Sequence, residues 1–143
     1  MKRDSNALTA NPQGSIWHRW DPHIHMPGTL KNDNFKGEDQ LAEYARRINA
    51  CDPPIRAIGI TDYYTLDSYE KLRQLKEQGD LPHLELIFPN IELRFAVNAG
   101  KGSPLNVHLL VCPDDDDHIE KTKRFLRELS ERCLLRIFVS LSC

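Results

Sequence analysis

The segment that most restricts the fold is Ala57-Ile58-Gly59-Ile60-Thr61, a short apolar run with no polar alternation. A strand with one wet face alternates apolar and polar side chains, whereas a continuous apolar run is covered on both faces, as in the middle of a parallel sheet. Directly after it, Leu66, Tyr69, Leu72 and Leu75 recur every three residues up to Gly79, a residue suited to the left-handed turn that ends a helix. Strand and helix in this order predict a crossover unit.

The same alternation runs along the chain. Ile16-Trp17-His18-Arg19-Trp20 predicts a first strand that leads straight into Asp21-Pro22-His23-Ile24-His25. Pro27, Gly28 and the polar stretch from Lys31 to Asn34 read as a loop. Leu41, Ala45 and Ile48, with Tyr44 beside them, form an apolar stripe on a helix between about Glu38 and Ala50, and Asp52-Pro53-Pro54 stops it. Glu85 to Pro89 and Val107 to Val111 are further strands, with Ile91 to Val97 as an extension between them and a turn at Gly100 to Pro104. A last helix begins within the Asp114 to Asp117 run, where Asp117 and Glu120 have capping-box spacing, and ends near Ser130. The expectation is an α/β fold with a largely parallel sheet. Residues 1–14 read as a flexible lead-in, 15–130 as the folded body and 131–143 as an atypical tail.

Composition narrows the class. With 143 residues, 40% hydrophobic and 28% charged, the chain suits one globular domain with an ordinary core. Its 19 Lys and Arg against 21 Asp and Glu leave a formal charge of −2, so no global positive field draws in nucleic acid. Cys51, Cys112, Cys133 and Cys143 form no C-x-x-C pair, which argues against a zinc ribbon or redox dithiol. No run approaches the roughly 20 apolar residues of a membrane span. A reducing cytoplasm is the simplest expectation.

Chemistry is concentrated at the strand ends. In an extended segment alternate side chains share a face, so Asp21, His23 and His25 project together and two imidazoles can meet one ion. The blander reading is a pair of surface histidines. Asp62 follows the second strand and Glu92 the third, so three strand ends offer metal-binding groups to one rim. Singly, Asp62 is also a helix-capping residue, and Glu92 a solvated carboxylate or the partner of Arg94. His108 starts its strand, which places it toward the opposite rim or in the core as a buried histidine satisfied by hydrogen bonds. His83 and His118 are expected in solvent, His18 has no assigned role, and the Asp114 to Asp117 run reads as an exposed helix start.

Trp17-His18-Arg19-Trp20-Asp21-Pro22-His23-Ile24-His25, then Ile58-Gly59-Ile60-Thr61-Asp62-Tyr63-Tyr64, then Phe88-Pro89-Asn90-Ile91-Glu92, then Val107-His108-Leu109-Leu110 resemble the ordered opening motifs of the PHP (polymerase and histidinol phosphatase) family. They are most similar to PHP domains at the N-terminus of ABC- and SMC-type ATPases. The resemblance covers residues 16 to about 130. It implies a distorted (β/α)7 TIM-like barrel holding up to three divalent ions, Mn, Zn or Fe, that activate water to hydrolyse a phosphate ester, including one in nucleic acid. It also implies an ATPase region as a partner. By position His23, His25 and Glu92 match metal ligands of that family, while Asp21, Asp62, Tyr63 and His108 are supporting candidates. Tyr63 departs from the family, which has histidine after the Thr-Asp pair, and the ligand that follows the first histidine pair is also absent.

Only part of such a barrel is expected within this length, and a shifted or interrupted reading frame would account for the tail. A phosphoesterase module whose isolated chain binds metal weakly and is inactive is therefore the leading expectation. The alternative is a non-catalytic PHP-like structural or regulatory module of an ATPase. An unstable fragment is a third.

Overall fold

The computed structural model describes residues 17–29, 35, 39–98 and 104–132. The expected lead-in, the 31–34 loop, the turn at 100–103 and the tail from residue 133 lie outside the described residues. Strand β1 (Arg19–Ile24) is followed by helix α1 (Gln40–Asn49), strand β2 (Ile55–Tyr63), helix α2 (Asp67–Glu77), strands β3 (Leu86–Asn98) and β4 (Pro104–Leu110), and helix α3 (His118–Arg132). The sheet has the order β1-β2-β3-β4. β1, β2 and β3 run parallel, and β4 returns antiparallel to β3. This is a mixed α/β fold with a curled, mostly parallel sheet.

Each helix forms where its apolar spacing can be buried. Tyr44, Ala45 and Ile48 of α1 and Tyr69 and Leu72 of α2 join Ile58, Ile60, Ile87, Ile91 and Leu93 of the sheet in one core. Leu75, expected on the same stripe, packs at the edge of that core. Helix α2 ends as anticipated. Gly79 takes a φ of +90°, and the Gly79 and Asp80 N–H groups donate to the carbonyls of Lys76 and Leu75, closing the last turn.

Two strands extend further than the sequence suggested. β2 reaches Tyr63, so Asp62 lies inside the strand rather than just past it. β3 continues from Leu86 through Pro89 to Asn98, which puts Glu92 in mid-strand. Proline in a strand with neighbours on both sides normally removes a ladder hydrogen bond. Here the Pro89 carbonyl accepts the Val111 N–H at 3.0 Å, just where β4 ends opposite Asn90, so the missing N–H points past the end of the ladder.

The strand register sorts the side chains into two sets. Ile58, Ile60 and Asp62 of β2 and Ile87, Ile91 and Leu93 of β3 face the helices. Gly59, Thr61 and Tyr63 lie on the other face, beside Phe88, Asn90 and Glu92 in the same order. In β4, Asn106 and His108 join that second face opposite Arg94 and Glu92.

α3 is tied to α2 by polar contacts. His118 is buried rather than solvated: its Nδ1 donates to the Asp115 carbonyl, so Nε2 accepts from the Tyr69 hydroxyl at 2.8 Å. The reason is the stripe Ile119, Thr122, Leu126 and Leu129, which turns the start of the helix toward the core. Lys123 adds an ion pair to Glu70 at 2.9 Å. His83 is exposed.

A candidate metal centre on the open face of the sheet

His23, Glu92 and His108 each bring a ligand atom to within 4.8 Å of the others. The first two came from the sequence pattern. His108 was a supporting candidate, expected toward the opposite rim or buried in the core because it starts its strand, but it is exposed. The antiparallel return reverses the strand and sets His108 directly opposite Glu92. A signal for this was present. Residues 99–103 separate β3 from β4, whereas a parallel connection needs a crossover of about a dozen residues or more.

His25 stands beside the group, with its Nε2 3.2 Å from His23 Nε2. That separation is chemically informative. Two nitrogens bound to zinc at about 2.0–2.1 Å with tetrahedral geometry lie about 3.3–3.4 Å apart. The pair lies close to that spacing, at a distance that is also a hydrogen bond between the two rings. Neutral imidazoles and a carboxylate form a donor set suited to zinc, manganese or iron.

Two of the rings are held from behind. A carbonyl oxygen only accepts, so the 3.0 Å contact between His25 Nδ1 and the Thr61 carbonyl makes Nδ1 the donor and leaves an Nε2 lone pair. For His108 the chain of reasoning is one step longer. Asn90 Nδ2 donates to the Pro22 carbonyl at 2.8 Å, which fixes the Asn90 oxygen as an acceptor, and His108 Nδ1 donates to it at 2.9 Å. His108 Nε2 is thereby free to ligate. Metal-binding histidines commonly have their second nitrogen held in this way.

Glu92 is 4% exposed. Asn106 donates to its Oε1 at 2.9 Å, and Arg94 Nε and Nη2 approach the same oxygen at 3.3 Å. These three hydrogen bonds fall on one oxygen of the carboxylate. Tyr63 stacks on His25, with ring centroids 5.7 Å apart and planes 16° from parallel. Its hydroxyl accepts from Arg94 Nη2 at 3.2 Å, and burial foremost, then the charge of Glu92, raises the phenol above its ordinary pKa. Stacked on His25 and bonded to Arg94, Tyr63 braces the His25 ring.

The two aspartates lie elsewhere. The β1 backbone is not uniformly extended, since the register shifts between Asp21 and Ile24, so Asp21 does not share the face of His23 and His25 as expected. Its Oδ1 accepts the His23 backbone N–H at 3.0 Å. Asp62 accepts both the backbone N–H and the hydroxyl of Ser68 at 2.7 Å, binding the first turn of α2 to the sheet. Burial raises its carboxyl above the ordinary value, and the Ser68 hydrogen bonds oppose that rise.

The local sequence explains how β1 delivers its histidines. Just past them, Met26 is 1% exposed in the core, and Gly28, with a φ of +84°, turns the chain so that Thr29 donates back to the Met26 carbonyl. On the neighbouring strand Gly59 leaves the space that β1 occupies: a Cβ there would collide with the Pro22 carbonyl and approach the Phe88 ring to 2.7 Å. Comparison of the chain with protein-family models, with curated proteins and with solved structures finds no match in any of the three.

Proposed function

We propose that this chain carries a divalent-metal centre for phosphate-ester hydrolysis, on a sheet that forms part of a PHP-type barrel. The observation that supports the reading best is the oriented donor set: His23, Glu92 and His108 bring ligand atoms within 4.8 Å of one another, His25 stands beside His23, and His25 and His108 are each held through Nδ1. Bound there, an ion supplies Lewis-acid polarisation of a phosphoryl oxygen and a lowered pKa for an attacking water.

The chain's own residues supply the rest. The imidazoles and Glu92 set where the ion would sit. Asn90 and the Thr61 carbonyl fix the tautomers, and Tyr63 and Arg94 close one side. In the overall reaction a water oxygen joins phosphorus, the ester P–O bond breaks, and the leaving oxygen takes up a proton. Substrates of this class include phosphomonoesters and nucleic-acid phosphodiesters, and an associated ATPase region fits the same proposal.

Three grouped donors with His25 beside them suffice for one ion and fall short of a three-ion cluster. The expected result is therefore one weak site for manganese or zinc, lost in a His23→Ala, His108→Ala variant. Turnover of p-nitrophenyl phosphate should be no faster than in a His23→Ala, His25→Ala control. A chain that binds no ion at all defeats the proposal, and metal-dependent turnover well above the control shows that these donors alone carry catalysis. The second reading, a non-catalytic PHP-like module, draws on Tyr63, which offers a neutral phenol where the family has a ligand.

A further inference from the structure

On the open face, Arg94 follows Glu92 at the strand period of two, so both side chains project the same way. Its backbone is unusually well fixed. The Tyr64 hydroxyl donates to the Arg94 carbonyl at 2.8 Å and accepts the Arg94 N–H at 2.6 Å. Tyr64 itself has a φ of +59°, a conformation that a bulky residue holds only when its surroundings enforce it.

The guanidinium, by contrast, is loosely held. Its three hydrogen bonds, to Glu92 and to Tyr63, measure 3.2 to 3.3 Å, longer than the charge-assisted optimum of about 2.7–2.9 Å. Nη1 makes no hydrogen bond among the described residues, and the group lies over the Tyr63 ring, 4.8 Å from its centre. About a third of the side chain remains exposed. A fixed backbone, a fork held by long hydrogen bonds and an Nη1 without a partner among the described residues describe a donor with room for another acceptor.

Charge identifies that acceptor. On the open face of β2, β3 and β4, among the described residues, Glu92 is the acid and Arg94 the base, and their charges cancel. Asp21 and Asp62 are committed to His23 N–H and Ser68. A divalent ion on the imidazoles then adds two positive charges that the Glu92–Arg94 pair does not offset. An ion that draws on Glu92 also weakens the hold of that carboxylate on Arg94. Resting on the metal-centre reading above, we infer that Arg94 is the specificity residue of this site, taking one oxygen of a dianionic phosphate group whose other oxygens face the ion. Ion and anion then bind cooperatively through Glu92.

Calorimetric titration separates the possibilities. Manganese is titrated first into the whole chain, and inorganic phosphate second, with and without manganese. Phosphate should bind only when manganese is present. Arg94→Gln should lower phosphate affinity about tenfold, the weight of one charge-assisted hydrogen bond, while manganese affinity stays equal or rises because a competing cation is gone. Arg94→Lys should fall between, since it keeps the charge and loses the fork.

A merely structural arginine would lower both affinities together, and thermal melting of each variant reports whether the fold persists. Equal phosphate affinity in Arg94→Gln and the parent, or a parallel loss of manganese and phosphate affinity, overturns the inference while leaving the metal centre standing. No manganese binding by the parent chain removes the metal centre and this inference with it.

Discussion

The two faces of the sheet are built from the same strands and solve opposite problems. Toward the helices, Ile58, Ile60, Ile87, Ile91 and Leu93 are buried against α1 and α2, and the one acid among them, Asp62, is held by two hydrogen bonds from Ser68. On the open face, Asn90, Glu92, Arg94, Asn106 and His108 are joined by directional contacts rather than apolar packing. One face tolerates modest changes of shape with a graded loss of stability. The other depends on angles and tautomers, so it should lose function before it loses fold.

The largest expected effect belongs to the packed face. Ile60→Ala removes a side chain that is 1% exposed and should cost about 2–5 kcal/mol, measured by urea unfolding. The folded fraction should still bind one manganese ion, and a folded Ile60→Ala chain without that site would erase the distinction between the faces. Gly59→Ala probes the line where they meet. Its new methyl would strike a backbone carbonyl and the Phe88 ring, so destabilisation at or above the usual overpacking range of about 1–3 kcal/mol is expected, together with loss of the ion site. Unchanged melting and unchanged metal affinity in that variant would show that β1 approaches less closely than described.

Asn90→Ala sharpens the contrast from the open side. It should lower metal affinity about 10–100-fold by freeing the His108 ring. If the melting temperature falls steeply while affinity holds, Asn90 is a packing residue and the distinction between faces fails at that point. The smallest effect lies on the outer surface of α1. Hydrogen bonds from Arg46, then Arg47, hold the Glu43 carboxyl at about 2, below its ordinary value of 4.5. Its folded pKa is depressed, so this small contribution is present above about 4.5 and is lost as pH falls toward about 2. Glu43→Gln should flatten that part of the acid melting curve without altering metal binding at neutral pH.

The sequence made the packed face more legible than the open one, for a physical reason. Burial leaves a periodic trace, and the spacing of Leu66, Tyr69 and Leu72 located α2 while Ala57 to Thr61 located β2. Orientation leaves almost none. His23 and Glu92 were visible as groups at strand ends, but whether His108 faces them depends on the direction of β4, which no residue of that strand encodes. Asp21 shows the same limit, because strict alternation misleads once the register shifts. Tyr63 was noticed only as a substitution for an expected histidine. Its partnership with Arg94 is a property of paired strands rather than of either segment alone.

Asn90 sits on β3, yet its amide grips β1 at the Pro22 carbonyl and β4 at His108, passing over β2 where Gly59 presents no side chain. One side chain thus inspects the docking of three strands at once. A chain with β1 slipped by a single residue would lose the Pro22 contact, release the amide and leave His108 unaimed, even with its helices intact. Ion affinity would then act as a certificate of correct assembly. Because a ligand that prefers the native state shifts the folding equilibrium toward it, a cell that supplied the metal would enrich the correctly registered molecules over the slipped ones.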